Sequence, residues 1–351
     1  MRGVNWGGWF SQIDAIAEKD SCGIRGEREH MRSFLGIEDA KRVAEWGFDH
    51  IRLPLDWFNA FDSQLRPDEG IFGLLDKAID GIIESGLRVI LDLHKCPGHD
   101  FLEGTVKEQA FFADERVERD CLRIWACLAE RYGSKPGIML EPLNEPVAPS
   151  AERWNAAKGR LAAEIRGRAP KATIVIGSNL WNCAEEFGEL TPLDDDKVIY
   201  SFHFYNPLVF THQRAPWISS RAFMRSLPYP GTYPANERDS TRLAVDWGRW
   251  DRDRLESALE PVIRFRERYG VPVACNEFGV YMGGPDQESR LAWTRDLLGI
   301  FRKYDIGWSY WNYKNLDFGI ISVGEDLFAD SPQYANCERT DMQLLDILKS
   351  G

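Results

Sequence analysis

The chain has no run approaching the roughly 18 consecutive apolar residues of a membrane span, which excludes a helical membrane protein. It has no cysteine framework either. Its seven Cys are an odd number without regular spacing, and several fall inside predicted elements: Cys121 and Cys127 on one helix, Cys275 in a strand. A disulfide scaffold is thereby excluded, and a reducing compartment is expected. Positive charge is outweighed. The formal charge of −12 argues against nucleic acid or an anionic membrane surface as a partner and suits a neutral substrate. No Gly-x-Gly-x-x-Gly turn follows the first strand-like run, which counts against an open, doubly wound sheet. Internal repeats, low-complexity tracts and linkers are missing too. The opening Met1-Arg2-Gly3-Val4-Asn5-Trp6 enters a strand directly and leaves no room for a signal peptide. The expected address is cytoplasmic, or secreted if a leader has been removed.

What is present is an alternation. Strand-like runs occur at Gly3–Trp9, His50–Pro54, Arg88–Leu93, Gly137–Leu143, Thr173–Ser178, Val198–His203, Val271–Asn276 and Gly307–Trp311. Most are short apolar runs, as expected of parallel strands covered by helices. Amphipathic stretches separate them: Ile37–Trp46, Leu74–Glu84, Val117–Arg131, Ala151–Arg168, Arg254–Arg268 and Glu288–Lys303. Gly47, Gly86, Gly133 and Gly270 stand where helix C-caps belong. Eight β-then-α units in succession predict an α/β fold, a closed (β/α)8 TIM barrel, with residues 1–351 as one domain. One interval breaks the rhythm. Residues 206–250 show no strand pattern but hold Pro207, Pro216, Pro228, Pro230 and Pro234, with Trp217, Phe223, Tyr229, Tyr233, Trp247 and Trp250. A structureless loop of that length is improbable in a compact domain, so an inserted lid or subdomain over the active-site face is expected. The charged Lys19–Arg32 segment reads as a solvated rim loop.

Catalytic residues of such barrels sit at the carboxyl ends of strands. Six of the eight predicted strands end in polar or aromatic groups: Arg52, His94, Asn144-Glu145, His203 with Tyr205, Asn276-Glu277, and Trp311. With 55 Asp and Glu in the chain, one strand-end carboxylate is expected by chance. Two, at Glu145 and Glu277, joined by Arg, two His, Tyr and Trp at matching depth, are not. Two carboxylates facing each other across a cleft are what glycosidic-bond cleavage requires. The 13 Trp and 11 Tyr fit that chemistry, because flat aromatic faces suit the C–H faces of sugars, although most are expected in the core.

On these residues the chain resembles glycoside hydrolase family 5, a family of retaining barrel glycosidases whose two glutamates follow strands four and seven. The likeness runs from Gly3-Val4-Asn5-Trp6-Gly7-Gly8-Trp9 to Trp311-Asn312-Tyr313-Lys314. The eight positions near-invariant in that family find counterparts in Arg52, His94, Asn144, Glu145, His203, Tyr205, Glu277 and Trp311. Phe202-His203-Phe204-Tyr205-Asn206-Pro207 and Phe210-Thr211-His212-Gln213, with an insertion after them, resemble a bacterial endo-β-1,4-glucanase branch. Lys95 stands where many relatives have a second His or a small residue, and Cys96 follows it, so subsite preferences are not carried over.

The resemblance implies Glu145 as general acid/base and Glu277 as nucleophile. Arg52 and Tyr205 would then keep Glu277 ionised. Asn144 would bond the sugar 2-hydroxyl, His94 and His203 would line the subsite before the scissile bond, and Trp311 would be its stacking platform. Trp181 and Trp217 are candidates for outer subsites, with a core role as plausible. A β-linked glucan or oligosaccharide is the expected substrate, with no cofactor and no metal. Alternatives keep the chemistry on mixed-linkage glucan, mannan or short oligosaccharides cut exo-fashion. Others change class, to a non-catalytic carbohydrate-binding barrel or a metal-dependent sugar isomerase. His94-x-Cys96-x-x-His99 allows metal ligation by spacing, but a fourth ligand is not evident.

Overall fold

A computed structural model describes residues 1–13, 27–102, 109–218, 220–233, 247–323 and 338–351. Residues 19–26 of the charged segment and part of the 206–250 insertion, Pro234 among them, lie outside these. Eight parallel strands close into a barrel in sequential order: β1 (Arg2–Asn5), β2 (His50–Asp56), β3 (Arg88–Lys95), β4 (Ile138–Glu141), β5 (Thr173–Gly177), β6 (Val198–Phe204), β7 (Val273–Phe278) and β8 (Gly307–Tyr310). All eight expected strands are present, with ends shifted by a few residues. Among the described residues no helix is long and apolar enough to cross a membrane.

The helices lie outside the barrel because each buries one apolar stripe against the strands' outward residues. Glu69–Glu84 turns Ile71, Phe72, Leu75, Ile79 and Ile82 inward. Its N-cap Asp68 accepts bonds from the Gly70 and Ile71 amides. The expected Arg254–Arg268 helix is instead two, Arg252–Ala258 and Glu260–Tyr269. Pro261 explains the break: it has no N–H to continue the first helix but is tolerated in the first turn of the second. The rim-loop expectation for Lys19–Arg32 also needs correction where residues are described. Glu27–Ser33 is helical and buries His30 and Met31, whose carbonyl accepts a bond from Trp9 Nε1 at 2.8 Å. Within the 206–250 interval the chain forms a short antiparallel ribbon, Gly231–Tyr233 against Gly248–Trp250, anchored by the buried Tyr233 and Trp250.

Inside the barrel, chemistry changes with depth. Ile90, Met139 and Val175, with Met1 and Ile199, form a small apolar plug at the amino-terminal end. Strand alternation puts residues i and i+2 on one face. Asp92 and His94 therefore stand above Ile90 on β3, and Glu141 stands above Met139 on β4. The carboxyl-terminal half of the interior is consequently polar, and that is where a site can be built.

Gly47, Gly86 and Gly270 have positive φ and terminate helices as expected; Gly133 also stands at its helix's C-cap as expected, but with right-handed backbone (φ −64°). Its role is close approach: a Cβ there would lie 2.2 Å from Ala169 Cβ and 2.6 Å from Ala129 O. Gly133→Ala should therefore destabilise the protein by about 1–3 kcal/mol through overpacking. The measurement is the denaturant midpoint; an unchanged or raised midpoint would contradict this packing.

Candidate active site

Arg52, fully buried on β2, is the hub. Its Nη1 donates to Glu277 Oε1 at 2.5 Å and to Asn5 Oδ1 at 3.0 Å. Its Nε and Nη2 grip Glu141 at 2.8 and 3.0 Å, and Nη2 also donates to Asn144 Oδ1 at 2.7 Å. Asp92 Oδ2 lies 3.0 Å from the same nitrogen. Beside it, Tyr205 donates to Glu277 Oε2 at 3.1 Å. His203 Nδ1 lies 2.8 Å from Glu145 Oε1 and 3.6 Å from Glu277 Oε2. His94 Nδ1 lies 2.7 Å from Asp92 Oδ2.

Backbone irregularities aim these groups. Adjacent residues of a regular strand face opposite sides, yet Asn276 and Glu277 both reach the network. Phe202 of β6 pairs with Cys275, but His203 pairs with Glu277, so Asn276 is an extra residue in β7. This bulge lets Asn276 Nδ2 donate to Glu141 Oε2 at 2.9 Å while Glu277 meets Arg52. The pair Asn144-Glu145 is solved differently. β4 stops at Glu141, and Glu145 takes a left-handed backbone with φ 44°.

Four carboxyls (Asp92, Glu141, Glu145 and Glu277) share one buried guanidinium. Burying uncompensated charge is costly, so protons must stay on some of them. Burial pushes Asp92 and Glu141 up to about 7, against the pull of Arg52. Glu145 is raised well above the usual carboxylate range by burial and then by the facing Glu277. Glu277 is also raised by burial, with Arg52 and His94 holding it down. The proton therefore belongs on Glu145. Burial drives His94 down to about 4 and His203 well below its ordinary value, so both rings are neutral at pH 7 and their contacts are hydrogen bonds rather than ion pairs. Glu145 is also the more open carboxylate, 13% exposed against 7% for Glu277. One carboxyl that keeps its proton facing one that gives it up can act as acid and nucleophile on a single acetal.

All eight expected residues meet in this one place. His94 stands apart from the two glutamates, its contact being with Asp92. Its Nε2 and the Asn144 Nδ2 have no protein partner among the described residues, which leaves both for a ligand. Trp311 lies parallel to His94, with ring centroids 5.8 Å apart and planes within 3°. It packs with Tyr281, Phe318 and Ala215. Trp217 continues this apolar wall outward, 49% exposed and 5.3 Å from Tyr281. Trp181 is half-buried and donates to Phe101 O at 3.0 Å.

The His94, Cys96 and His99 ligand set does not assemble. His99 Nε2 bonds Asn144 O at 3.0 Å, and the Cys96 thiol is buried against Cys121. Among the described residues, the group whose donor atoms converge is Glu145, His203 and Glu277, all within 4.8 Å of one another. Lys95 is tied to Asp100 at 2.6 Å.

Asp92, Glu141 and Asn276 escaped sequence reasoning as site residues, as did the buried Asn182, whose Nδ2 lies 3.3 Å from His203 Nε2. Asp92 was within reach, because it shares a strand face with His94. Glu141 also left a signal, as a carboxylate inside an apolar run. Asn276 depends on a bulge and Asn182 on an irregular turn, and neither has a periodic signature.

A family model described as cellulase (glycosyl hydrolase family 5) matches residues 24–317. Endoglucanase C of Acetivibrio thermocellus is 34% identical over 331 residues, covering 91% of this chain and 93% of that protein. Cellodextrinase A of Ruminococcus flavefaciens is 31% identical over 308 residues, covering 87% and 83%. An endoglucanase structure from Thermotoga maritima shares the fold with a TM-score of 0.73 at 22% identity, covering 99% of this chain and 96% of that one.

The raised carboxyls have a consequence for stability. Glu141 and Asp92 hold protons in the folded chain up to about pH 7 but lose them near 4 when unfolded. Between those values the native state binds more protons, so their contribution is full below about pH 4 and declines as pH rises towards 7. Glu141→Gln should flatten that decline in a series of unfolding midpoints from pH 4.5 to 7.5. A slope as steep as that of the parent would mean Glu141 is ionised throughout.

Proposed function

The chain belongs to glycosyl hydrolase family 5, and from that premise we propose that it is an endo-β-1,4-glucanase that cleaves β-glucan with retention of anomeric configuration. The observation that carries the mechanism is the pairing of Glu145 and Glu277, whose oxygens approach within 4.8 Å around His203. Retaining glycosidases place their carboxyls about 5–5.5 Å apart, against roughly 6.5–9.5 Å where a water must fit between them.

In the first step Glu277 Oε attacks the anomeric carbon, the glycosidic C–O bond breaks, and Glu145 gives its proton to the departing oxygen. In the second, Glu145 takes a proton from water, whose oxygen bonds the anomeric carbon and releases Glu277 as a carboxylate. Arg52 and Tyr205 stabilise Glu277 as the anion, both before attack and as it leaves. The free Asn144 Nδ2 serves the sugar 2-hydroxyl, and Trp311 forms the floor of that subsite. The Trp217 face supports a longer glucan chain, which favours internal cleavage of polymer. The likeness to a cellodextrinase supports a second reading, in which short cello-oligosaccharides are the preferred substrate.

Glu277→Ala should abolish turnover on every substrate. Glu145→Ala should lose about 10²–10⁴-fold on carboxymethylcellulose yet keep appreciable activity on an aryl cellobioside whose leaving group needs no proton. Parental rates for both variants on the polymer would refute the assignment. Trp217→Ala should raise KM for polymer while leaving kcat on the aryl cellobioside unchanged. Early products from barley glucan, lichenan, mannan and cello-oligosaccharides decide between the two readings: a spread of lengths for internal cleavage, a single short product for end-trimming.

A further inference from the structure

Beyond β5 the chain makes an irregular turn; among the described residues only Asn315–Asp317, beyond β8, has a like run of positive-φ backbone. Leu180, Trp181 and Asn182 are three successive non-glycine residues with positive φ, at 46°, 63° and 54°. L side chains adopt such backbone only where the surroundings over-determine it, and such sites cluster where function needs a fixed group. Several bonds hold this turn. Trp181 N donates to Pro146 O at 3.2 Å, one residue past Glu145, and Ser178 Oγ donates to Cys183 O at 2.8 Å. Cys183 in turn pairs with His203 as a parallel bridge.

The turn delivers the Asn182 carboxamide, fully buried, into the barrel mouth. Gly177 makes room for it, since a Cβ there would lie 2.3 Å from Asn182 Oδ1 and 2.6 Å from Nδ2. Asn182 Nδ2 then lies 3.3 Å from His203 Nε2, while the other ring nitrogen lies 2.8 Å from Glu145 Oε1. A neutral imidazole carries one proton, so whichever nitrogen accepts a bond forces the proton onto the other.

We propose that Asn182 is a positioning residue. Its Nδ2–H donates to His203 Nε2, which places the ring proton on Nδ1 and directs it to Glu145 Oε1. The inference rests on Glu145 being the acid/base. A donor aimed at Glu145 favours its carboxylate form. It opposes the burial and the negative charge of Glu277, Asp92 and Glu141, in company with Arg52 and beside Tyr205 and His94. Glu145 thereby stays able to release its proton in the first half-reaction and to act as base in the second.

The test combines ¹⁵N-histidine NMR of the intact enzyme with pH profiles. His203 should appear as the Nδ1–H tautomer, its signals assigned by their loss in His203→Gln. In the isosteric Asn182→Asp variant the carboxylate draws the proton to Nε2. The alkaline limb of kcat/KM should then move up by about one pH unit, because Glu145 must keep its proton to bond Nδ1. A native ring protonated at Nε2 would mean that the carboxamide accepts rather than donates, and would overturn the proposal. An alkaline limb that stays in place or moves down in folded Asn182→Asp would do the same. Should that variant not fold, the spectrum of the native ring decides alone. Failure of the underlying acid/base reading is distinguishable, because it shows as parental turnover of Glu145→Ala on polymer.

Discussion

One buried guanidinium organises the barrel mouth. Arg52 reaches Glu277, Glu141, Asp92, Asn144 and Asn5, residues contributed by four different strands, β7, β4, β3 and β1, and by the segment just past β4. A lone cation so far from water is tolerable only because it is surrounded by acceptors. Four carboxyls so close together are tolerable only because the cation is there and because some of them keep their protons. Such a cluster is poor evidence for stability, since desolvation offsets much of the Coulombic gain. What it provides is order: Asn276 holds Glu141, Glu141 holds the guanidinium, the guanidinium fixes Glu277 and Asn144, and His203 meets Glu145, so the paired carboxyls are placed in advance.

The asymmetry between the two glutamates comes from what faces each. Glu277 touches Arg52 and the Tyr205 hydroxyl, two donors that favour its anion. Glu145 touches His203 and faces the negative charge of Glu277. Two side chains of one type thus acquire opposite tasks. The backbone enforces the division through departures from ideal strand geometry, the bulge at Asn276 and the left-handed Glu145. A site built only on regular alternation would point one member of each adjacent pair, Asn144-Glu145 or Asn276-Glu277, away from the cleft.

The aromatic wall is a separate layer. Trp311, Phe318 and Tyr281 form an apolar cluster distinct from the main core, and Trp217 extends it to the surface. This arrangement sets the charged cluster within the barrel mouth and the apolar wall along one side of it. The departures at Lys95 and Cys96 are absorbed by local pairing, Lys95 to Asp100 and Cys96 against Cys121, rather than by the cleft.

The eight strands, their parallel order and the gathering of the eight expected residues at one barrel mouth were legible in the chain because they are written in short-range patterns: apolar runs, intervening amphipathic stretches and polar residues at strand ends. Boundaries were less so. Pro261 split a helix that read as continuous, and Gly133, though it caps its helix as expected, does so in right-handed backbone and in close contact with Ala169. The sequence alone therefore determined the barrel and which side chains line its mouth. Only the tertiary structure decided which carboxyl keeps a proton, which way adjacent residues turn, and that Asn182 stands behind His203. Those outcomes depend on burial and on partners distant along the chain, such as Arg52 and Glu277, 225 positions apart. No local pattern encodes the field that one such residue imposes on another.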